Sequence, residues 1–250
     1  MNFYINNFAL AMPLLFSLLT SYSQAGVVMT GTRVIFPAKQ MEKTIQLENK
    51  DNFPNLVQVW LDSGDESATA ETANAPFMVS PQFFKIEAQQ GQMLRLIFSG
   101  DQSALPSDRE SLFYLNFSEM PAIKSSDIEK NKLLVVFRNR VKVLYRPEAL
   151  KTSAANISEQ LNYTIKKQTD HTIRIQLNNH SAYYANLSKL SLQLNGKEIQ
   201  KEDNITIAPQ SVFEWKITPT IKENAELQLQ IVLINDYGAT IKYQLKHSPS

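Results

Sequence analysis

The residues of this chain that could perform covalent or acid–base chemistry are few and scattered. The three histidines, His171, His180 and His247, do not fall at the spacing of a metal site, and no HExxH, GxSxG, P-loop or GxGxxG motif is present. The chain has no cysteine, which excludes disulfides, thiol chemistry and cysteine-bound zinc. The triplet Asp108-Arg109-Glu110 is better interpreted as an ion-pair cluster near a strand start than as an acid–base pair. We therefore predict that the protein is not an enzyme and uses no metal or cofactor.

The chemistry that the sequence does favour is the binding of an anion. Four cations, Arg138, Arg140, Lys142 and Arg146, fall within nine positions of one strand-like stretch. A row of this kind is commonly a solvated face, but it can also bind a carboxylate such as the C-terminus of a partner. Arg33 stands alone in the otherwise apolar run TRVIF, and an isolated arginine among strand residues usually has an anionic partner, internal or external.

An uninterrupted apolar run, Leu133 to Phe137, precedes these cations. A sandwich strand normally has one buried and one wet face, so its apolar residues alternate, whereas this run is apolar on both faces. Two explanations stay open at this point. Either the strand is covered on both faces by its own protein, or it is an edge strand that displays Leu133, Val135 and Phe137 to a partner that binds by strand addition.

From Val141 onward the same stretch alternates regularly, with Val143 and Tyr145 on the face of Val141. If Leu134 and Val136 fill the core, the phase of the buried face changes between the two parts. We therefore expect a β-bulge or a change of sheet near Arg138–Asn139.

The elements that must position these residues are short strands. The chain has 250 residues, 43% of them hydrophobic and 20% charged, with a net charge of +1, so no overall basic field suggests a nucleic acid. After residue 25 the apolar residues alternate in about fourteen short runs separated by Gly, Pro, Asn and Asp, seven before Pro147 and seven after it. This pattern predicts two all-β sandwiches joined near Pro147.

The first 25 residues are of a different kind. They contain no Asp, Glu, Lys or Arg, and an apolar run from Phe8 to Leu19 is followed by Ser23-Gln24-Ala25, with small residues at the two positions that a signal peptidase reads. We expect a signal peptide over residues 1–25 and a mature chain from Gly26 to Ser250. Export of a cysteine-free chain suggests a bacterial periplasm.

Several stretches together resemble the periplasmic chaperones of the chaperone–usher pathway, the PapD-like family. The stretches that carry the resemblance are TRVIFPA, LVQVWLDSGD, PFMVSPQFFKIEAQQGQMLRL, LPSDRESLFYLNFSEMPA and RVKVLYRP in the first half, and YYANLSKL, IAP and INDYGA in the second. DRES followed some thirty residues later by an ending of the type KxLYRP is specific in combination. The resemblance covers essentially the whole of residues 26–250.

The resemblance implies a fold and a set of functional residues. The fold would be two immunoglobulin-like β-sandwich domains in an L-shaped arrangement, at residues 26–147 and 148–250. Arg33 and Lys142 would bind the C-terminal carboxylate of a pilus subunit. Leu133, Val135 and Phe137 would form the donor row of the strand. An ionic link between the domains would join Glu110, Arg146 and Asp236.

The resemblance also implies partners and a mechanism. The chaperone would bind and fold pilus or fimbrial subunits by completing their incomplete immunoglobulin-like fold with its own strand, and would deliver them to an outer-membrane usher without a nucleotide or other cofactor. An unpaired apolar edge also suggests a self-capping homodimer of the free chaperone. The alternative interpretation, a structural pilin or adhesin, would require a long alternating N-terminal extension and usually cysteines, and neither is present. The sequence departs from the family in INDYGA, where Ala239 occupies a position at which glycine can adopt a special φ.

Overall fold

The structure, a computed structural model, describes residues 26–122, 133, 135–167, 172–218 and 227–248. The predicted signal peptide, most of the connection from Pro121 to Lys132, and Leu134 lie outside the described residues. Among the described residues, no helix has the length and hydrophobicity needed to span a bilayer.

The first half of the chain forms two facing sheets. Its strands are β1 (Val27–Met29), β2 (Arg33–Pro37), β3 (Glu42–Asn49), β4 (Asn55–Asp62), β5 (Phe77–Ser80), β6 (Phe83–Ile86), β7 (Gly91–Phe98), β8 (Ser111–Pro121) and β9 (Phe137–Arg146). One sheet has the order β1-β3-β7-β5 and the other β2-β9-β8-β4-β6, and a short 3-10 helix covers Gln102–Ala104. Strands such as β3, β5 and β7 bury alternate residues, as Ile45 and Leu47 of β3 illustrate, because one face of each sheet is turned to the core.

Aromatic side chains fill the centre of this first sandwich. Phe36 of one sheet packs against Phe77 of the other sheet in an edge-to-face arrangement, with ring centroids 5.2 Å apart. Phe98 stacks on Tyr145 at 4.9 Å, which ties β7 to β9 across the core. Tyr145 is therefore a core residue, and its strand is anchored firmly at its C-terminal end.

The second half repeats the plan. Its strands are β10 (Leu161–Lys167), β11 (Ile173–Asn179), β12 (Ala185–Leu194), β13 (Lys197–Ile207), β14 (Ser211–Ile217), β15 (Leu227–Ile234), β16 (Thr240–Gln244) and β17 (Lys246–His247). The sheet orders are β14-β11-β10-β17 and β13-β12-β15-β16, and a 3-10 helix covers Ala154–Gln160. Leu177, Leu190 and Ile231 lie in a separate hydrophobic core. The prediction of two all-β, immunoglobulin-like sandwiches is confirmed, although β1 and β5 were not among the predicted strands.

The predicted bulge or change of sheet near Arg138–Asn139 is wrong. The pairing of β8 with β9 runs without a register shift from Glu119 opposite Phe137 to Ser111 opposite Tyr145. Odd-numbered residues of β9 therefore lie on one face throughout, and Phe137 shares the face of the buried Val143 and Tyr145. The face of β9 that is turned to the core is the same along the whole strand, and the hydrophobic core ends before it reaches Phe137.

Ala239 stands where the sequence led us to expect a φ that favours glycine, but it does not adopt a positive φ. In the described turn between β15 and β16, Gly238 carries the positive φ, +82°. A side chain at Gly238 would also meet the Thr32 hydroxyl oxygen, 2.5 Å from the position of an added Cβ. Gly238 therefore accommodates both the turn and its close approach to the first sandwich, and alanine is acceptable one position later.

A candidate binding edge beside the interdomain cleft

Part of strand β9 has an open edge. On one side it pairs antiparallel with β8 along its length, from Phe137 to Tyr145. On the other side it pairs in parallel with β2 only from Lys142 to Arg146. Within the described part of the chain, Phe137 to Val141 therefore have no strand neighbour on that second side. Their backbone groups on this side are free to pair with another chain.

The apolar residues at and before this edge are exposed. Leu133 is 90% exposed, Val135 46% and Phe137 61%, and the intervening Val136 is exposed as well. The hypothesis that this stretch is covered on both faces by its own protein is wrong for these residues. They form an exposed apolar row, of which Phe137 lies in β9 on the side of the buried Val143, and Leu133 and Val135 precede the strand. We call Leu133, Val135 and Phe137 the apolar row.

Two cations stand where the covered part of β9 begins. Arg33 and Lys142 are register partners at the first pair between β2 and β9. The Lys142 ammonium donates to the Asn186 side-chain oxygen at 2.6 Å and to the Thr206 hydroxyl, both on the second sandwich. Within the described residues no carboxylate lies at ion-pair distance from Lys142. Burial, and then repulsion from Arg33, lower the pKa of Lys142 to about 8.

Arg33 is also incompletely paired. One of its terminal nitrogens donates to the Ile234 carbonyl at 3.3 Å, while its Nε is buried and has no hydrogen-bond partner in the described structure. Burial lowers its pKa, and the nearby carboxylates of Asp236 and Glu110 oppose that shift. Arg33 and Lys142 thus form a partly buried cationic pair that has donor capacity left for an anion.

A third cation joins the two sandwiches. The Arg146 Nε donates to Glu110 at 2.5 Å, and its two terminal nitrogens donate to the two Asp236 oxygens at 2.6 Å each. Glu110 is buried, and its other oxygen accepts the Tyr184 backbone N–H at 2.8 Å. The two carboxylates raise the pKa of Arg146 despite its burial. The guanidinium therefore fixes the end of β9 to the turn after β15 with bidentate geometry.

A cavity of about 250 Å³ opens between the two sandwiches beside these cations. Arg33, Arg146 and Asn186 line it, together with the turn at Asp236 and Tyr237. The sequence offered no means of finding Asn186 and Thr206, because they are 44 and 64 residues from Lys142 and only the relative placement of the sandwiches brings them together. None of the described residues form a cluster of three or more His, Cys, Asp or Glu side chains that could hold a metal ion.

Comparison with known proteins assigns the class of this arrangement. Residues 26–151 match the family model described as "Pili and flagellar-assembly chaperone, PapD N-terminal domain", and residues 156–245 match "Pili assembly chaperone PapD, C-terminal domain". The chaperone protein FimB/FhaD of Bordetella pertussis is 33% identical over 224 residues, 89% of this chain and 88% of that protein. The probable fimbrial chaperone YadV of Escherichia coli is 32% identical over 225 residues, 89% and 90%.

A solved structure agrees with the sequence relatives. The crystal structure of the YadV chaperone superposes with a TM-score of 0.72 at 31% identity, covering 88% of this chain and all of that one. Two immunoglobulin-like sandwiches with an open edge beside a cationic cleft define a two-domain assembly chaperone. The chain belongs to the PapD-like family of pilus-assembly chaperones, and its function is that of a chaperone in pilus assembly.

Proposed function

We propose that this chaperone captures pilus or fimbrial subunits by adding a strand of the subunit to the open edge of β9. The observation that carries the proposal is the exposed apolar row, whose last member, Phe137, lies on the core-facing side of β9 beside an edge left unpaired among the described residues. Burying three such side chains in a subunit contributes up to about 5–9 kcal/mol before ordering costs are subtracted. Backbone hydrogen bonds along Phe137–Val141 would supply the register.

Arg33 and Lys142 would bind the C-terminal carboxylate of the subunit. They lie at the inner end of the open edge, with unused donors and no anionic partner in hydrogen-bond contact among the described residues. A strand whose carboxylate ends at Lys142 and whose body lies against Phe137 must run parallel to β9. The proposed strand would therefore continue the direction of β2, which itself starts at Arg33 and pairs in parallel.

The ion pairs of Arg146 with Glu110 and Asp236 would act as the link that holds the cleft in one shape. They join residues of both sandwiches, and both carboxylates lie within 2.6 Å of the guanidinium. A fixed cleft keeps Lys142 and its second-sandwich neighbours in place for an incoming carboxylate.

The surrounding biology follows from the same proposal. The chain would act in the periplasm after removal of residues 1–25 and would pass its subunits to an outer-membrane usher. It would need no nucleotide, cofactor or catalytic residue, because each step exchanges one buried strand for another. Among the solved relatives, the SafB chaperone of Salmonella enterica is in complex with the SafA pilin, a chaperone–subunit pair of the proposed kind. When free, the open edge would be capped by a second copy.

The test is a pull-down from a fimbriated cell with the tagged chain, reading the bound proteins by mass spectrometry. Wild type is expected to retain pilus subunits, whereas Lys142→Ala or Phe137→Glu should lose them with an unchanged melting temperature. Phe83→Glu is a matched control, because Phe83 is 59% exposed on β6, at the far edge of the same sheet. Loss of binding of about 100-fold is expected for Phe137→Glu, since about 2–3 kcal/mol of apolar burial is removed.

Two results would overturn the proposal. Normal capture by both the Lys142 and Phe137 variants would mean that neither the cationic pair nor the apolar row contacts subunits. Equal loss in Phe83→Glu would mean that any exposed charge on this sheet disturbs binding, so the effect would not be specific to the open edge.

A further inference from the structure

The outer face of the open edge carries a connected set of polar contacts that neither the apolar row nor the cationic pair uses. Arg138 and Arg140 are the even-numbered residues of the uncovered part of β9, so their side chains lie on the face opposite the apolar row. Both reach across β8 towards β4. The sequence identified these two arginines only as part of a cationic row.

Arg140 is fixed to strand β4 by a buried carboxylate. Its Nη2 and Nε donate to the two oxygens of Asp62 at 2.6 and 3.2 Å, and Asp62 is fully buried. The guanidinium carbon lies 3.4 Å from the centroid of the Tyr114 ring on β8. The hydrogen bonds to Asp62 from Arg140, from the Asn116 amide and from the Gly64 N–H lower the pKa of this carboxylate against the effect of its burial. Arg140 is therefore held by charge, by hydrogen bonds and by stacking at once.

Arg138, two residues before Arg140 on β9, makes a second set of contacts with the neighbouring strands. Its Nη2 and Nε donate to the Asn116 side-chain oxygen at 2.7 and 3.1 Å, and its Nη1 donates to the Glu66 carbonyl at 2.8 Å. Its guanidinium carbon lies 5.0 Å from the Trp60 ring centroid. Asn116 also donates to Asp62 at 2.6 Å, so the two arginines belong to one network that spans β9, β8 and β4.

The physical need for such attachments follows from the state of the edge. Among the described strands only β8 pairs with Phe137–Val141, and the inner face of this segment is exposed at Phe137 instead of packed. A segment with one ladder and little burial opens easily, since local stability follows local packing. Planar guanidinium groups attached two strands deep replace part of the missing packing.

We propose that Arg138 and Arg140, through Asp62 and Asn116, are positioning residues that hold Phe137–Val141 extended in the free chaperone before any subunit binds. The inference rests on the proposed function, because an ordered open edge matters only for strand addition. A preformed strand lowers the ordering cost that the subunit's binding energy must offset, and it presents Phe137 of the apolar row in a fixed position.

Asp62→Asn is the informative variant. It removes the buried charge that holds Arg140, leaving the exposed Glu66 carboxylate at 3.3 Å from this guanidinium, and it keeps the sequence of β9, and hence the intrinsic exchange rates of its amides, unchanged. Glu42→Gln is the matched control, because Glu42 pairs with Arg95 at an exposed position on the opposite sheet. Hydrogen exchange of each protein is followed by mass spectrometry or NMR at a concentration where light scattering shows a monomer.

The expected result concerns two parts of one strand. In Asp62→Asn, the amides of residues 137–141 that bond to β8 should exchange about tenfold faster than in wild type, while those of residues 143–145 change by less than about twofold. Glu42→Gln should change neither part. Arg140→Lys, which keeps the charge but loses the fork, should show a smaller acceleration of the same amides and serves if Asp62→Asn does not fold.

Three results would overturn the inference. An edge that is unprotected in wild type would mean that nothing orders it before binding. Equal acceleration of both parts of β9 would reveal a general contribution to stability, with no special role at the edge. No acceleration in either variant would remove the role altogether. Because this experiment contains no subunit, it is independent of the pull-down: a wild type that captures no subunit would refute the proposed function while leaving the exchange result standing.

Discussion

Raising the pH from 7 to 9 should weaken the capture of a subunit's C-terminus, and the reason is the environment of one ammonium group. Lys142 is desolvated between the two sandwiches and lies beside Arg33, so its pKa is lowered to about 8. Its partners, Asn186 and Thr206, are neutral and do not restore the charged form. In the proposed function the protonated lysine would bind the carboxylate, so deprotonation would compete with binding.

The size of the effect follows from that pKa. With a value near 8, about 90% of Lys142 is charged at pH 7 and about 10% at pH 9. If the charged form alone binds, the apparent Kd rises about tenfold over this range, which corresponds to about 1.4 kcal/mol. A lysine with an ordinary pKa near 10.4 would lose only about 4% of its charge by pH 9. The carboxylate of the ligand stays ionised throughout, so its titration adds nothing.

The assay uses a synthetic peptide that copies the last residues of a pilus subunit retained by the wild-type chain. Calorimetry from pH 6 to pH 9.5 compares this peptide with its C-terminally amidated form, and the difference between the two affinities isolates the contribution of the carboxylate. Lys142→Arg keeps a cation that does not titrate in this range and should remove the pH dependence. The pKa itself can be read from the side-chain carbon shift of isotopically labelled Lys142.

Two outcomes would refute this reasoning. A preference for the carboxylate form that is the same at pH 7 and pH 9 would show that Lys142 either keeps an ordinary pKa or does not contact the carboxylate. A tenfold fall that persists in Lys142→Arg would place the titrating group elsewhere.

Three further predictions address the rest of the molecule. Asp236→Ala should destabilise the contact between the sandwiches by about 1–3 kcal/mol, because the Arg146 guanidinium loses a bidentate partner at a partly exposed site. Small-angle scattering that shows an unchanged distribution of domain arrangements would contradict this role. Glu119→Gln should raise the melting temperature at neutral pH but not at pH 4. Burial raises the pKa of this carboxylate, so the folded state binds the extra proton and wild-type stability falls as the pH rises through that pKa. Parallel curves of melting temperature against pH for the two proteins would argue against it. Phe36→Ala should cost about 3–5 kcal/mol in urea unfolding, because Phe36 is fully buried among core rings; a loss below about 1 kcal/mol would mean that the core collapses around the gap.

The strands were predictable from sequence because each sheet has one face on a core. Alternation of period two follows directly from that arrangement, as the sequences of β2, RVIFP, and β14, SVFEWKI, illustrate. The short strands β1 and β5 were missed, although β6, which also has four residues, was found. The phase of β9 was misjudged for a physical reason: the core stops before Phe137, so burial there no longer reports which face is inner.

The site was predictable only in part. The apolar row and the cations could be selected from one stretch of sequence, because strand geometry fixes which residues share a face. The pairing of Arg33 with Lys142 requires the parallel contact of β2 with β9, over a separation of 109 positions, which periodicity does not encode. Likewise, Asp62 was an unremarked residue near the end of a predicted strand, and only the diagonal reach of Arg140 across β8 gives it a role.

The start of β2 at Arg33 has a consequence for when a subunit can be recognised. Lys142 is the first residue of β9 that β2 covers, and Phe137 lies five positions away, about 17 Å along an extended chain. If the terminal carboxylate of a subunit strand binds at this boundary, the position of each residue of that strand along β9 is set by its distance in sequence from the last residue. That carboxylate comes into existence only when translation ends, so a chaperone of this geometry would ignore nascent and C-terminally extended subunits and engage finished chains alone.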